Sequence, residues 1–204
     1  MSMYIIGITG QTGAGKTSAL KAVQSLGALT LDCDDIYHEL LLSNMEMTAE
    51  IQARFSEVIT DGKVDRQKLG AIVLSDPEAL LELSEITHKY VIAEINRRID
   101  SFKAQGGRIV VIDAVLLIES GQGDACDVII GITAPIETRI SRIIKRDGIT
   151  REQAEMRLKA QQPEDFYIKN CDYILDNTYN NLGEFEDKCR DFFQELLTSK
   201  EDIT

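Results

Sequence analysis

The sequence predicts an α/β fold: a mostly parallel five-stranded sheet with helices between its strands. Short apolar, β-branched runs alternate with helical stretches along the chain, which is typical of parallel strands joined by helical crossovers. A glycine-rich loop follows the first apolar run and leads directly into a helical stretch. At 204 residues the chain has the size of one domain, 1–204, with room for a smaller helical part.

The predicted elements follow from these patterns in chain order. The first strand is "YIIGIT" at 4–9, which has no polar alternation and so resembles a strand buried on both faces. The segment 36–104 reads as a helical insertion, the segment 136–162 as a pair of charged helices, and the chain closes on an amphipathic helix. The remaining strands are predicted at 28–32, from residue 108 onward, at 126–133 and at 172–176.

Composition narrows the class of protein. Lys and Arg number 22 against 34 Asp and Glu, a net charge of −12, which argues against a nucleic acid or an anionic membrane as partner. The first residues lack a basic region and their apolar run is too short for a signal peptide or a membrane span, so the cytoplasm is expected. Four scattered cysteines and two histidines give no zinc-type ligand set and fit reduced thiols. The sequence gives no sign of an obligate protein partner.

The loop at residues 10–17, "GQTGAGKT", fits G-x-x-x-x-G-K-[ST], the motif that cradles nucleotide phosphates. Backbone amides of residues 12–17 are expected to form an anion site at a helix N-terminus. Lys16 would reach the β- and γ-phosphates, and Thr17 would ligate Mg²⁺ through its hydroxyl. By chance the fixed positions occur in on the order of one such chain in a hundred, so the alternative of an ordinary turn is weak. The motif predicts a P-loop NTPase or kinase fold that binds ATP, through Gly10, Gln11, Thr12, Gly13, Ala14, Gly15, Lys16 and Thr17.

Two acids end the second predicted strand, in "LDCDD". If the segment is extended, Asp32 and Asp34 point the same way at the sheet edge where α/β proteins bind ligands. One of these carboxylates would orient Mg²⁺ waters while the other accepts the proton of an attacking hydroxyl. The alternative is that Asp34 or Asp35 caps the following helix.

The helical pair at 136–162 concentrates positive charge on an acidic chain. Arg139, Arg142 and Arg146 share one helix face, and Arg157 and Gln161 follow at a spacing of four. Such a segment suits a lid that closes over transferring phosphates and excludes water. The alternative is a solvated face whose arginines pair with neighbouring acids.

Three further side chains are candidates for the site. His88, on a predicted helix of the insertion, is on its own more typical of a packed histidine than of a catalyst. Asp113 and Glu119 flank "AVLLI" near the end of the third strand. Asp113 would hydrogen-bond Mg²⁺ waters, and Glu119 would contact substrate or cap a helix.

Together these motifs resemble the dephospho-coenzyme A kinases, from Tyr4 to the final helix. "GITGQTGAGKT" is similar to that family's glycine loop and "LGALTLDCDDI" to its strand ending in D-x-D. "DGKVDRQKL" with "LSDPEALLELSEITHKYV" resembles its insertion, and "VVIDAVLLIES" its D-x-P-L-L-x-E. "RISRIIKRDGITREQAEMRLKAQ" resembles its lid and "CDYILDN" its A-D-x-x-x-x-N.

The resemblance implies transfer of the γ-phosphate of ATP to the ribose 3′-hydroxyl of dephospho-coenzyme A, the last step of coenzyme A biosynthesis. It implies Lys16, Asp34 and Arg142 as catalytic residues, and Arg146 and Asn177 as ATP contacts beside the loop. For the acceptor it implies Asp32, Arg66, His88, Leu116, Leu117, Glu119, Arg157 and Gln161.

The sequence departs from the family at two prolines, replaced by Lys89 and Val115, and has Thr17 for the usual serine.

Three other functions remain open on physical grounds. They are a P-loop ATPase switch, a nucleotide-binding homologue without catalysis, and a kinase of a nucleoside or nucleoside monophosphate. The absence of an N-K-x-D guanine signature argues against the switch, and the retained Lys16, Asp34 and lid arginines argue against the inactive homologue.

Overall fold

The computed structural model describes residues 3–60, 62–179 and 181–201. The chain divides into two compact units, one formed by Met1–Leu31 with Phe102–Thr204 and the other by Asp32–Ser101. The smaller unit covers nearly the same residues as the predicted helical insertion, 36–104, and differs from it by a few residues at each end. Among the described residues, none of the helices is both long and apolar enough to span a bilayer.

The described part of the chain forms the following strands and helices. The strands are β1 Tyr4–Gly10, β2 Leu29–Asp32, β3 Ile59–Thr60, β4 Lys63–Val64, β5 Ile109–Asp113, β6 Val128–Thr133 and β7 Tyr173–Asp176. The helices are α1 Lys16–Ser25, α2 Cys33–Ser43, α3 Met45–Arg54, α4 Arg66–Ser75, α5 Pro77–Ala104, α6 Ile136–Asp147, α7 Arg151–Lys159, α8 Glu164–Asn170 and α9 Leu182–Glu201.

The larger unit contains a five-stranded sheet in the order β2-β5-β1-β6-β7. Strand β1 lies at its centre and pairs in parallel with β5 and with β6, and β6 pairs in parallel with β7. The register sets Ile8 beside Asp113 and Gly10 beside Ile132. The carboxyl ends of these strands therefore meet at one edge, and the glycine-rich loop leaves from the central one. The predicted mostly parallel five-stranded sheet is confirmed.

The apolar character of β1 explains its central place. Ile6 and Ile8 are fully buried, as expected for a strand covered by helices on both faces. Helices α1 and α9 pack on the sheet through one core. Its members from α9 are Phe185, Cys189, Phe193 and Leu196. Phe193 is fully buried, whereas Phe192, the position that helical spacing favours for the core, is only partly buried.

Short polar caps determine where the helices of the smaller unit begin. The side chain of Asn44 accepts from the amide of Met47 at the start of α3, and that of Asp65 accepts from Gln67 at the start of α4. Helix α5 begins at Pro77, where a missing N–H costs nothing. It then continues without a break through Lys89, which stands where the family has a proline.

One element of the smaller unit and one of the larger are not predicted by the sequence patterns described above. Strands β3 and β4 form a small antiparallel hairpin, with Ile59 opposite Val64. The Asp-Gly pair at 61–62 is a common hairpin signal that was available in the sequence. The second missed element is α8, Glu164–Asn170, whose length of seven residues is too short for a periodic pattern to be visible.

Candidate functional site

The glycine-rich loop connects the central strand β1 to the first turn of α1. Lys16 is the first residue of α1, and its Nζ donates to the carbonyl oxygen of Gly10 across the loop at 3.4 Å. Thr17 follows with its side chain exposed. The lysine and the hydroxyl that the motif requires thus stand together at a helix N-terminus, where the helix dipole favours an anion.

Not every amide of the loop is available to an anion. The amide of Thr12 donates to Oε1 of Gln161 at 3.0 Å, and the amide of Ala14 donates to the carbonyl oxygen of Gln11 at 3.1 Å. The prediction that residues 12–17 all direct their amides into the loop is therefore wrong for these two. The expected anion-binding set narrows to the amides of Gly13, Gly15, Lys16 and Thr17.

Arg142 of α6 reaches the outer side of this loop. Its Nη1 donates to the carbonyl oxygens of Gly13 and Ala14, each at 3.2 Å. Its Nη2 donates to Oδ1 of Asn177 at 3.3 Å and to the carbonyl oxygen of Tyr179 at 3.0 Å. Burial lowers the pKa of this guanidinium. In the structure Arg142 holds the backbone of the loop, which is a different task from the direct phosphate contact expected of a catalytic arginine.

Asn177 follows β7 and is completely buried against the loop. Its Nδ2 donates to the carbonyl oxygen of Ala14 at 2.8 Å, and its own amide donates to the carbonyl oxygen of Thr133. A Cβ atom on Gly15 would collide with that Nδ2, and Gly15 has a φ of +117°. The sequence predicted Asn177 as an ATP contact, but its side chain is engaged with the protein backbone instead.

Arg139 is a residue of this site that the sequence analysis placed only on a helix face. Just 5% of it is exposed, and burial lowers its pKa. Its Nε donates to the carbonyl oxygen of Thr12 at 3.1 Å and its Nη2 to Oε1 of Gln161 at 3.2 Å. Gln161, predicted as an acceptor contact, also donates from Nε2 to Oγ1 of Thr12 at 2.6 Å. The side chain of Gln161 therefore lies on the loop in this structure.

Helices α6 and α7 form a hairpin with an apolar core of its own. Ile140 and Ile143 of α6 pack on Ala154 and Leu158 of α7. At the start of α7, Thr150 and Gln153 form a capping box, which fixes the turn between the two helices. The predicted lid segment, 136–162, is thus one folded piece, and its function as a lid stays a prediction.

The arginines on the outer part of this hairpin are paired with acids. Arg146 donates to Asp147 at 2.7 and 3.0 Å, and Arg157 donates to the same carboxylate at 2.6 Å. Arg151 pairs with Glu137 and with Glu155. The hydrogen bonds from Arg146 are the main reason that the pKa of Asp147 is lowered. This is the charge pattern of a solvated helix face, in which Arg146, predicted as an ATP contact, and Arg157, predicted as an acceptor contact, share one carboxylate.

The two acids after β2 differ in their surroundings. Strand β2 ends at Asp32, and helix α2 begins directly at Cys33, so the segment is not extended as predicted. Oδ1 of Asp32 accepts from the amides of Asp34 and Asp35 at 2.9 and 3.1 Å, which makes Asp32 the helix cap. Asp34 lies exposed in the first turn. The alternative that Asp34 or Asp35 is the cap is therefore wrong, and the carboxylate of Asp34 is not occupied by capping.

Within the smaller unit, Arg66 and His88 lie on different helices. Arg66 begins α4, and its Nη2 lies 2.6 Å from Nε2 of His38, whose ring centroid is 5.5 Å from that of Tyr37. His88 is exposed on α5. The neighbouring Lys89 donates to Glu50 at 2.6 Å, so the lysine that replaces a family proline ties α5 to α3.

The segment after β5 carries the remaining predicted acceptor contacts. Leu116 and Glu119 are exposed, but Leu117 is fully buried. A Cβ on Gly7 would lie 2.6 Å from Cδ2 of Leu117, so that side chain packs directly on the backbone of β1. Leu117 is a core residue, and a contact of its side chain with a ligand is not supported. Asp113 is buried at the end of β5.

Two simpler expectations concern metals and thiols. Among the described residues no group of three or more His, Cys, Asp or Glu side chains suits a metal ion. No disulfide joins the cysteines in the described ranges. Burial raises the pKa of Cys126 to about 11, so this thiol is protonated and unreactive near neutral pH.

Comparisons with known proteins agree with the geometry. A family model described as dephospho-CoA kinase matches residues 4–182. A dephospho-CoA kinase of Symbiobacterium thermophilum is 36% identical over 177 residues, covering 86% of this chain and 74% of that protein. A dephospho-CoA kinase of Corynebacterium diphtheriae is 30% identical over 201 residues, covering 98% of this chain and 100% of that protein.

Solved structures extend the comparison to the fold. TT1252 from Thermus thermophilus superposes with a TM-score of 0.83 at 29% identity, covering 97% of this chain and 98% of that one. A dephospho-CoA kinase from Campylobacter jejuni superposes with a TM-score of 0.69 at 28% identity, covering 96% and 98%. A shikimate kinase from Acinetobacter baumannii, at 18% identity and a TM-score of 0.56, covers 97% and 95% and shares the fold alone. The predicted P-loop kinase fold is confirmed, and the residues matched by the family model, 4–182, span the loop, the helical insertion and the hairpin of α6 and α7.

Proposed function

The chain belongs to the dephospho-CoA kinase family, and we propose that the loop at residues 10–17 and the side chains around it carry out that family's reaction. The enzyme transfers the γ-phosphate of ATP to the 3′-hydroxyl of dephospho-coenzyme A, the last step of coenzyme A biosynthesis. The single observation that best supports this assignment is the loop itself, with Lys16 and Thr17 at the N-terminus of α1. Four side chains from elsewhere in the chain hydrogen-bond to the backbone of the loop: those of Arg139, Arg142, Gln161 and Asn177.

ATP is expected to bind with its phosphates against the narrowed set of loop amides and the ammonium of Lys16. Because helix α1 points its N-terminus at this position, its dipole adds to the attraction for the phosphates. Arg142 and Asn177 support the site from the protein side, by holding the carbonyl oxygens of Gly13 and Ala14 away from the anion. Loop amides whose positions are fixed in this way stabilise charge on a transferring phosphoryl group without having to reorganise during the reaction.

Magnesium fits the site through a small number of protein ligands. Mg²⁺ in phosphoryl-transfer enzymes keeps several waters and takes one or two protein oxygens together with phosphate oxygens, so a cluster of protein carboxylates is not required. The exposed hydroxyl of Thr17, in the first turn of α1, is the residue we assign to it. When bound, the ion would supply positive charge that neutralises the charge developing on the phosphate oxygens.

Asp34 is the group we assign as general base. Its carboxylate is exposed and is not needed to cap α2, since Asp32 already fills that role. In the proposed step Asp34 accepts the proton of the 3′-hydroxyl while a bond forms between the 3′-oxygen and the γ-phosphorus. The bond from the γ-phosphorus to the oxygen that remains on ADP breaks. Asp32 then acts by fixing the turn that carries Asp34, in place of the acceptor contact that the sequence predicted.

The acceptor and the lid are assigned to the remaining predicted residues. We propose that Arg66, His88, Leu116 and Glu119 contact dephospho-coenzyme A, and that Arg146 and Arg157 bind phosphate groups when they leave Asp147. Guanidinium groups suit this role because their planar donors match phosphate oxygens.

The proposed location is the cytoplasm, which agrees with cysteines that form no disulfide in the described ranges. The reaction needs small molecules only, and no nucleic acid or protein partner enters it.

The decisive experiment is an assay of ADP release by the purified full-length chain with ATP and Mg²⁺. Separate reactions contain dephospho-coenzyme A, a nucleoside, a nucleoside monophosphate, or water alone as acceptor. We expect equimolar ADP and coenzyme A with the first acceptor only, and phosphorus NMR of the product should show the new phosphate on the 3′-oxygen. Lys16→Ala should abolish turnover while the circular dichroism spectrum stays unchanged, whereas the matched control Lys21→Ala, exposed on the same helix, should keep it.

Each other outcome identifies a different protein. ADP release with water alone would indicate an ATPase switch, and release with a nucleoside or its monophosphate would indicate a different small-molecule kinase. Nucleotide binding without release in any reaction would indicate a homologue that has lost catalysis. A fully active, folded Lys16→Ala variant would overturn the assignment of the loop.

A further inference from the structure

Thr12 of the phosphate loop has all of its polar groups engaged by two side chains from elsewhere in the larger unit. Oε1 of Gln161 accepts from the amide of Thr12 at 3.0 Å, and Nε2 of Gln161 donates to Oγ1 of Thr12 at 2.6 Å. Nε of Arg139 donates to the carbonyl oxygen of Thr12 at 3.1 Å, and its Nη2 donates to Oε1 of Gln161 at 3.2 Å. The four bonds form a closed network of three residues, so the position of each depends on the other two.

The neighbouring residue of the loop repeats the connection. Nε2 of Gln11 donates to the carbonyl oxygen of Gln162 at 3.1 Å. Two successive loop residues, 11 and 12, are thus fastened to two successive residues, 161 and 162, that follow α7. A Cβ on Gly13 would lie 2.9 Å from the carbonyl oxygen of Arg139, so the first turn of α6 also rests on the loop.

Burying the charged guanidinium of Arg139 at this contact with the loop is energetically unfavourable. Only 5% of Arg139 is exposed, and the hydrogen bonds given above join its guanidinium to neutral oxygens and not to a carboxylate. Burying a charge without a short ion pair is unfavourable, and burial accordingly lowers the pKa of this arginine. A leucine or methionine would fill the space at lower cost, so stability alone does not explain an arginine here.

We propose that Arg139 and Gln161 are positioning residues that hold the first half of the phosphate loop in its nucleotide-binding shape. They also fasten both ends of the α6–α7 hairpin to Thr12, since Arg139 lies near the start of the hairpin and Gln161 just after its end. The shape of the loop and the placement of the hairpin are therefore linked. This inference rests on the proposed function only in taking the loop as the ATP site, and neither residue needs to touch the nucleotide.

The test measures nucleotide binding separately from turnover. Calorimetric titration with ADP and Mg²⁺ gives both the dissociation constant and the number of sites for the wild type, Arg139→Gln, Gln161→Ala and the double variant. Arg139→Gln removes the two hydrogen bonds that Arg139 makes and Gln161→Ala removes three, so we expect each to weaken ADP binding by roughly tenfold with one site per chain retained. The double variant should be weaker than the singles by no more than about twofold, because all the bonds belong to one network.

Two further variants separate positioning from a purely structural role. Arg139→Lys should remain weak, because a single ammonium does not serve two acceptors in the fixed planar arrangement of a guanidinium. Arg190→Gln, which breaks ion pairs with Glu186 and Asp187 on α9, is the matched control and should bind ADP like the wild type. The thermal midpoint of each variant is recorded without ligand.

Wild-type ADP affinity in Arg139→Gln with one site per chain, whatever its thermal midpoint, would overturn the proposal. If the losses of ADP affinity in the two single variants add up in the double variant, Arg139 and Gln161 do not act through one hydrogen-bond network. If Arg139→Gln does not fold, Gln161→Ala, which changes a half-buried side chain, decides the question by the same titration. A wild type that binds ADP normally but does not phosphorylate dephospho-coenzyme A would contradict the proposed function and leave this titration interpretable.

Discussion

The side-chain amide of Asn177 donates a hydrogen bond to the carbonyl oxygen of Ala14 at 2.8 Å, although 163 residues separate the two in sequence. Asn177 is completely buried at this contact, and its Oδ1 accepts from Arg142, which itself binds the carbonyl oxygen of Ala14. The last strand of the sheet therefore delivers a side chain that fixes the loop formed after the first.

Asn177→Ala should weaken ADP binding by roughly tenfold and lower the free energy of unfolding by about 1–3 kcal/mol. The physical reason is that the carbonyl oxygen of Ala14 loses a buried donor and Arg142 loses an acceptor. Isothermal titration with ADP and urea unfolding measure the two effects. Asn170→Ala, which removes an exposed bond to the carbonyl oxygen of Phe166, is the matched control. Normal affinity in Asn177→Ala would show that the loop keeps its shape without this contact.

Gly15→Ala should eliminate measurable nucleotide binding. Gly15 has a positive φ, and the added methyl group would collide with Nδ2 of Asn177. Gly106→Ala provides the comparison, because Gly106 also has a positive φ, of +85°, but has no atom within 4 Å of the new Cβ. That variant should lose about 1 kcal/mol of stability through backbone strain alone and bind ADP normally. Equal ADP affinities of the two variants would remove the collision as a cause.

Asp34→Asn should reduce kcat by roughly 10²–10⁴-fold while the KM for ATP changes little. The change keeps the shape of the side chain but removes the proposed proton acceptor, and ATP is held elsewhere. Asp35→Asn, in the same exposed turn of α2, is the control and should retain the wild-type rate. Steady-state transfer to dephospho-coenzyme A measures both. A normal kcat in Asp34→Asn would require another base.

Asp147→Asn should strengthen ADP binding by up to about fivefold. Arg146 and Arg157 share this carboxylate, and without it both guanidinium groups are free to bind phosphates. The gain is small because exposed ion pairs contribute at most about 1 kcal/mol. Glu155→Gln breaks a pair made by Arg151 only and should leave affinity unchanged. Weaker binding in Asp147→Asn would mean that the carboxylate places the arginines for the nucleotide.

Acid should weaken the smaller unit through Glu94. Hydrogen bonds from Arg97 and then Arg98 lower the pKa of this carboxylate to about 2, from an ordinary 4.5. A lowered folded-state pKa gives stability that is complete above pH 4.5 and is lost as the pH falls toward 2. The stability difference between wild type and Glu94→Gln in urea should therefore be larger at pH 7 than at pH 3.5. Glu85→Gln, exposed on the same helix, is the control. A difference that stays constant with pH would contradict the shifted pKa.

How much of this site was predictable from sequence depends on the distance between the residues involved. The loop, its lysine and its threonine lie within eight consecutive positions, so a local pattern identifies them. Arg139 binds a residue 127 positions away and Gln161 one 149 positions away, and no local pattern contains such information. For this reason residues expected to face a ligand, Gln161 and Asn177 among them, were found on the loop backbone.

Asp32 and Asp34 show a second limit. Their spacing of two gives the same direction only if the strand continues, and the sequence does not fix whether Asp32 ends a strand or caps a helix. The cap, observed in two hydrogen bonds, reassigns Asp32 to support and leaves Asp34 available. The mostly parallel character of the sheet was predictable because the apolar strands alternate with helices. The short hairpin and α8 were too short for periodicity to be visible.

The fastening of residues 11 and 12 to 161 and 162, and of Ala14 to Asn177, has a consequence for how the protein is made. The glycine loop leaves the ribosome among the first twenty residues, but the groups that fix its shape are added only after most of the chain has been translated. A nascent or prematurely terminated chain contains the complete motif without its supports. We therefore expect the loop to reach its nucleotide-binding shape only after Asn177 has been added to the growing chain.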